Sequence, residues 1–184
     1  RPVPAVGVPG EHNRLNALAA AAIGRAAGLS DEAIEEGVRR FPGVEHRLEL
    51  VGEWGGTRWY NDSKATNPDA GLVGLRAFAD TPVVLIAGGY GNGFELAEWL
   101  AAVRAQTRGV VLLGASADEL QDRLAGHRVR RAGSLEEAVE LAGGMAQPGD
   151  TVLLSPAYKS YDMFASYEER GRRFKEAVRA LHRA

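Results

Sequence analysis

The stretch Asn61-Asp62-Ser63-Lys64-Ala65-Thr66-Asn67 places two carboxamides, a carboxylate, two hydroxyls and an ammonium within seven residues. Ahead of it, Gly56-Thr57-Arg58-Trp59-Tyr60 has the β-branched and aromatic character of a strand. Behind it, Pro68 suits the first turn of a helix, Asn67 its N-cap, and Asp69 the positive end of the helix dipole. The pattern predicts a polar loop at the carboxyl end of a strand, opening onto a helix. Ligands of open α/β sheets bind at that edge. A capped, solvated turn accounts for any one of these residues; the seven together point to a site.

Working outward, three continuous apolar runs follow: 82–87, 110–113 and 151–154. Short Val/Leu/Ile runs without alternation are typical of parallel strands covered on both faces. Helical patterns lie near 68–79, 95–104, 116–125 and 134–143, so strands and helices alternate and the expected fold is a doubly wound, Rossmann-like α/β sheet. Toward the N-terminus, Arg47-Leu48-Glu49-Leu50-Val51-Gly52 reads as a first strand, with a hairpin turn at 53–56. Residues 1–10 read as a connector. Two helices, roughly 14–27 and 31–40, come next and stop at Phe41-Pro42-Gly43. The change from paired helices to strand–helix alternation puts a domain boundary near residue 43. A last helix, roughly 162–182, carries an apolar stripe of Phe164, Tyr167, Gly171, Phe174, Val178 and Leu181 that suits the cover of a sheet.

With 184 residues, 45% of them hydrophobic and 25% charged, the chain has the composition of a soluble globular protein. A net charge of −2 and the lack of a basic stripe argue against a nucleic-acid partner. No apolar run approaches the ~20 residues that span a bilayer, and no signal peptide is visible. The absence of cysteine excludes disulfides and thiolate metal sites and fits a reducing cytosol. The four histidines (12, 46, 127 and 182) show no metal-ligand spacing, so no metal site is expected. The start at Arg1, in a Pro-Val-Pro segment, suggests a piece of a longer polypeptide.

In a parallel sheet the loops after the second strand, after 83–87 and after 151–154 share one edge. The loop Gly88-Gly89-Tyr90-Gly91-Asn92-Gly93 lacks the order of a P-loop, and a flexible turn explains it equally well. The loop Ser155-Pro156-Ala157-Tyr158-Lys159-Ser160-Tyr161 offers hydroxyls and a lysine at an expected helix N-terminus, a natural carboxylate or phosphate site. Arg47, beside the expected boundary, can carry a charged fork to a phosphate.

Three groups of residues resemble the D-glutamate-adding Mur ligases of peptidoglycan synthesis. They are Asn61 to Asn67; Leu154-Ser155-Pro156-Ala157; and Ser160-Tyr161-Asp162-Met163-Phe164 with Tyr167-Glu168-Glu169-Arg170-Gly171. The resemblance extends to Gly10-Glu11-His12-Asn13-Arg14-Leu15-Asn16 and Phe41-Pro42-Gly43-Val44-Glu45-His46-Arg47, and so covers nearly the whole chain. It implies that residues 1–43 are the tail of a central ATPase domain and 44–184 a Rossmann-like C-terminal domain. The UDP-binding domain and the P-loop of the family are absent from the sequence.

The resemblance further implies ATP with magnesium, D-glutamate and UDP-N-acetylmuramoyl-L-alanine as ligands, a cytoplasmic location, and an acyl-phosphate intermediate. By position, Asn13 and Asn16 would contact adenine, and Arg47 and Asp62 the ATP phosphates and ribose. Lys64, Thr66, Ser160, Tyr161 and Tyr167 would form the D-glutamate pocket. Two departures stand out. Asn92 occupies the glycine loop where the family usually has a lysine or arginine, with Lys159 the candidate to compensate, although a solvated lysine also fits. Tyr161 and Tyr167 stand where aliphatic and phenylalanine side chains are common. The rival to a ligase is a free-standing α/β module that binds a small anion or nucleotide at the same edge without catalysis.

Overall fold

The computed structural model describes residues 8–91 and 93–183. Helix α1 (Glu11–Ala26) is alanine-rich and has no side-chain cap, whereas α2 (Asp31–Arg40) starts where Ser30 Oγ accepts the Ala33 N–H at 3.2 Å. Strand β1 (Glu49–Trp54) turns at Gly55-Gly56 into β2 (Thr57–Asn61). Asn67 caps α3 (Pro68–Arg76) by accepting the Ala70 N–H at 2.9 Å, with Pro68 in its first turn. Then follow β3 (Val83–Ala87), α4 (Ala97–Gln106), β4 (Thr107–Leu112), α5 (Ala117–Arg123), β5 (Val129–Arg131), α6 (Leu135–Met145), β6 (Thr151–Leu154) and α7 (Tyr167–Leu181).

These strands form one sheet in the order β1-β2-β6-β3-β4-β5, parallel throughout except for the β1–β2 hairpin. The three apolar runs are its centre, and their side chains alternate between two cores. Leu85, Val110, Leu112 and Leu153 face Leu72, Leu75, Trp99, Val103 and Leu120 of α3, α4 and α5. Val84, Ile86, Val111, Val152 and Leu154 face Ala138, Val139, Phe174 and Val178 of α6 and α7. The helix pair α1–α2 stands outside the sheet, with Leu15, Leu18, Ile23 and Leu29 exposed.

The expected mostly parallel α/β fold is therefore present, and strands 83–87 and 151–154 and the capped start of α3 fall where the sequence places them. Three local expectations are corrected. Arg47 lies outside β1: its N–H bonds to the Val44 carbonyl at 3.1 Å, between His46 and Leu48 at φ 63° and 46°. Two left-handed residues in three cannot continue a strand. The last helix starts at Tyr167 rather than 162, because Ser166 Oγ accepts the Glu169 N–H at 3.3 Å and Glu169 Oε2 accepts the Ala165 N–H at 2.7 Å. That reciprocal cap fixes the start. Phe164, which heads the expected stripe, packs in the α6–α7 core from the preceding loop. The three-residue edge strand β5 was not anticipated.

Candidate functional site

Strands β2, β6 and β3 end side by side, since Leu154 lies opposite both Asn61 and Ile86. The loops beyond are laced together through their backbones. The Asp62 N–H bonds to Leu154 O at 2.7 Å, Ser155 N–H to Ile86 O at 3.2 Å and Gly88 N–H to Pro156 O at 2.9 Å. Tyr90 and Lys159 exchange backbone hydrogen bonds at 2.8 and 3.1 Å. At Gly89 a Cβ would collide with the Lys159 carbonyl, so this glycine permits a close approach. The glycine loop is held against the 155–161 loop.

Asp62 sits under the polar loop, 4% exposed. Its Oδ2 accepts the Ser155 hydroxyl at 2.8 Å and its Oδ1 the Leu48 N–H at 3.3 Å. Burial pushes its carboxyl up to about 7, while the two hydrogen bonds and the charge of Arg47 pull the other way. Above it opens a cleft of about 330 Å³ lined by His12, Arg47, Lys64, Asp69 and the α3 residues Ala70, Val73 and Gly74. The Lys64 Nζ lies 5.4 Å from the centroid of the Tyr167 ring. His12 has its imidazole pKa lowered, first by burial and then by Arg47.

Arg47 also borders a second, adjoining groove. This one, of about 450 Å³, runs between α1 and α2 and is lined mainly by Ala17, Ala21, Leu29, Ile34, Val38 and Phe41, with Asn13 and Asn16 on its wall. Three residues apart, the two asparagines share a face of α1; the Asn13 Nδ2 donates to Pro9 O at 2.6 Å. A single guanidinium thus separates an apolar slot from a charged cleft.

The turn that carries Arg47 is anchored from below. The fully buried Asn61 amide donates to Glu49 Oε2 at 3.0 Å and lies 3.0 Å from His46 Nδ1, while its Oδ1 accepts the Ser63 N–H at 3.2 Å. Lys175 Nζ bridges Glu45 Oε1 at 2.8 Å and Glu49 Oε1 at 2.9 Å. Glu45, His46 and Glu49 are near enough to share a metal ion. The ammonium of Lys175 already bridges the two carboxylates, which makes the cluster an ion-pair network.

Of the residues singled out in the sequence, Arg47, Asp62 and Lys64 meet in one cleft, and Asn13 and Asn16 join Arg47 in the neighbouring groove. Tyr167 reaches Lys64. Thr66 is half-buried just ahead of the α3 cap. Ser160 is buried, and its carbonyl accepts the N–H groups of Met163 and Phe164 at 3.1 and 2.9 Å. It starts a turn, so the expected placement of the 155–161 loop at a helix N-terminus is corrected; the N-terminus of α7 is occupied by its own Ser166–Glu169 cap. Tyr161 is 68% exposed, and the Lys159 side chain is also exposed. Asn92, expected to face the substrate from the glycine loop, lies outside the described residues.

Sequence reasoning missed Arg170. It is 1% exposed, and its guanidinium donates to Ser63 Oγ and to the carbonyls of Ser63 and Tyr158. The signal was its spacing, three residues after Tyr167 and four before Phe174, which puts a charge on the buried face of α7.

Residues 46–158 match the family of the Mur ligase, glutamate ligase domain. The chain belongs to this family. Among curated proteins it is similar to the UDP-N-acetylmuramoylalanine–D-glutamate ligase of Thermoanaerobacter sp. (strain X514), 46% identical over 181 residues. That match covers 96% of this chain and 40% of the relative. Among solved structures it resembles the UDP-N-acetylmuramate-alanine ligase of Thermotoga maritima, with a TM-score of 0.70 at 21% identity over 96% of this chain and 40% of that one. It also resembles the Mycobacterium tuberculosis folylpolyglutamate synthase complexed with ADP and AMPPCP, with a TM-score of 0.66 at 20% identity over 96% of this chain and 41% of that one. At such identities the structural likeness is one of fold. The chain spans about two fifths of the length of the curated relatives it matches.

Proposed function

We propose that this chain is the C-terminal part of an ATP-dependent ligase that joins D-glutamate to UDP-N-acetylmuramoyl-L-alanine in the cytoplasmic stage of peptidoglycan synthesis. The observation that carries the proposal is identity of 45–49% over almost the entire chain with relatives bearing that one ligase name. In this reading residues 1–43 end a central ATPase domain and 44–184 form the amino-acid-delivering domain.

The geometry supports a division of labour along the shared sheet edge. The apolar slot between α1 and α2 suits a purine, with Asn13 and Asn16 offering carboxamides to its edge. Arg47, at the junction of slot and cleft, is assigned to the phosphates, and Asp62 beneath it to the ribose. These donors fit a nucleotide: a bidentate guanidinium suits polyphosphate. Lys64, Thr66, Ser160, Tyr161 and Tyr167 are assigned to the anionic amino acid, which needs a cation and hydroxyl donors. Lys159, on the same edge, is a candidate for its second carboxylate, and Asn92 is assigned to that role from its position in the sequence alone. Magnesium, when bound, would offset phosphate charge. The carboxylates of Glu45 and Glu49 are committed to Lys175, so we assign the ion's ligands to other parts of the ligase.

ATP supplies the driving force. An oxygen of the substrate carboxylate attacks the γ-phosphorus and ADP leaves, giving an acyl phosphate. The D-glutamate amine, having lost a proton, then attacks the acyl carbon, and inorganic phosphate departs as the amide forms. The sequence holds no P-loop motif, and three missing charged hydrogen bonds at ~1.5–3 kcal/mol each remove roughly 5–9 kcal/mol. The isolated chain is therefore expected neither to hydrolyse ATP nor to ligate D-glutamate, and phosphate release that co-purifies with it through successive columns would contradict this.

The test of the whole reading is isotopic. Full-length ligase given carboxylate-¹⁸O substrate, ATP and D-glutamate should release phosphate carrying one ¹⁸O, only when D-glutamate is present in the complete turnover. Unlabelled phosphate, or turnover with another amino acid in preference, would overturn it.

A further inference from the structure

Arg170 uses all three of its guanidinium nitrogens on two loops. Its Nε donates to Ser63 Oγ at 2.9 Å, its Nη2 to the Ser63 carbonyl at 2.9 Å and its Nη1 to the Tyr158 carbonyl at 3.1 Å. Ser63 immediately precedes Lys64, and Tyr158 immediately precedes Lys159. The Ser63 hydroxyl in turn donates to the Tyr167 carbonyl at 2.8 Å, which closes a ring of hydrogen bonds through the first turn of α7. Only a planar fork can do this; a lysine ammonium at the same place has one nitrogen for three acceptors.

Burying the guanidinium carries a desolvation cost. Burial lowers the pKa of Arg170 to about 10, with the charge of Asp162 opposing that shift. Its hydrogen-bond partners are a hydroxyl and two carbonyls. An apolar side chain in this core would avoid the expense of a buried cation. What the fork supplies and an apolar side chain cannot is a fixed geometry between two loops that each carry an ammonium.

We propose that Arg170 is a positioning residue that sets the placement of Lys64 relative to Lys159 for the anionic amino-acid substrate. The proposal rests on the reading of this edge as the amino-acid site. Both lysine backbones are pinned on their far sides as well, since the Lys64 N–H bonds to His46 O at 3.0 Å and the Lys159 N–H to Tyr90 O at 3.1 Å. The two loops already meet at their roots, where Asp62 N–H bonds to Leu154 O and the Ser155 hydroxyl to Asp62 Oδ2; Arg170 ties them again further out, at the residues next to the two lysines. It touches neither ammonium, and acts through the peptide that precedes each.

The test uses the full-length ligase with two substitutions, Arg170→Lys, which keeps the charge and loses the fork, and Ser63→Ala, which removes the Nε acceptor. Arg170→Lys should raise the KM for D-glutamate about tenfold or more, the scale of one lost charged hydrogen bond, with the KM for ATP within about twofold of wild type. Ser63→Ala should move the same parameter in the same direction by a smaller factor. An unchanged D-glutamate KM in folded Arg170→Lys, or equal rises in both KM values, would overturn the proposal. If Arg170→Lys does not fold, Ser63→Ala decides by the same criterion.

A second readout separates this proposal from the functional reading it rests on. Amide hydrogen exchange at Lys64 and Lys159 in full-length Arg170→Lys should be faster by about tenfold. If wild type shows no D-glutamate activity, the functional reading fails, and exchange alone then decides whether Arg170 holds the two loops. Exchange at the wild-type rate at both amides would overturn the proposal.

Discussion

Gly74 of α3 lies directly against the carboxylate of Asp62. A Cβ at residue 74 would fall inside the contact distance of Asp62 Oδ2 and 2.9 Å from Ser155 Oγ. The helix that opens from the polar loop thus presses a bare backbone onto the acid that the loop carries. Gly71, one turn earlier, does the same to Ala157, whose Cβ would stand 3.0 Å from an added methyl.

Gly74→Ala therefore sets two effects against each other. Helix propensity favours alanine by up to ~1 kcal/mol. Overpacking against a buried, hydrogen-bonded carboxylate costs about 1–3 kcal/mol. The clash should win: urea unfolding should show a lower midpoint with an unchanged slope. A midpoint at or above wild type would mean that Asp62 can move aside freely.

The elevated pKa of Asp62 makes a separate prediction about pH. The folded carboxyl titrates near 7 and the unfolded one near 3.8. Between those values the folded state binds more protons, so stability falls as pH rises, with a slope of up to ~1.4 kcal/mol per pH unit from this group. Asp62→Asn, which keeps the shape without the titration, should flatten that part of the stability–pH curve. Wild type and variant with parallel curves from pH 4 to 7 would show that Asp62 ionises normally.

How far the sequence alone reaches is clear from particular segments. Val83–Ala87 and Thr151–Leu154 are continuous apolar runs, and buried parallel strands can hardly be built otherwise, so their limits were readable. The cap at Asn67 and Pro68 is local chemistry and was equally readable. The left-handed turns at His46 and Leu48 were not, because the groups that hold the segment, Asn61 and Lys175, come from distant parts of the chain and act through His46, Glu45 and Glu49. Strand β5 is short and carries two arginines at the sheet edge, which mimics a loop. Within the site, Asp62 and Lys64 share one loop and were legible together, whereas Arg47 reaches them through the left-handed turn and the burial of Arg170 follows from how α7 docks.

Asn61 is the node of that long-range grip. Asn61→Ala would leave the buried Ser63 N–H without its acceptor and remove the donor to Glu49 Oε2. A stranded buried donor costs ~1–3 kcal/mol and the lost bond to Glu49 about 0.5–1.5 kcal/mol, so the loss of stability should be about 2–4 kcal/mol. Chemical denaturation measures it, and exchange at residues 46–49 should accelerate in parallel. A loss below about 1 kcal/mol would show that water or Lys175 replaces the amide without cost.

Lys64 decides the central claim, because it lines the same cleft as Arg47 and Asp62 yet is assigned to the amino acid rather than the nucleotide. The direct measurement is the pair of KM values in full-length Lys64→Ala. An ammonium that meets a substrate carboxylate contributes ~1.5–3 kcal/mol, so the KM for D-glutamate should rise about tenfold to a hundredfold while the KM for ATP changes less than about threefold. Equal rises in both, or a rise confined to ATP, would contradict the account and give the cleft wholly to the nucleotide.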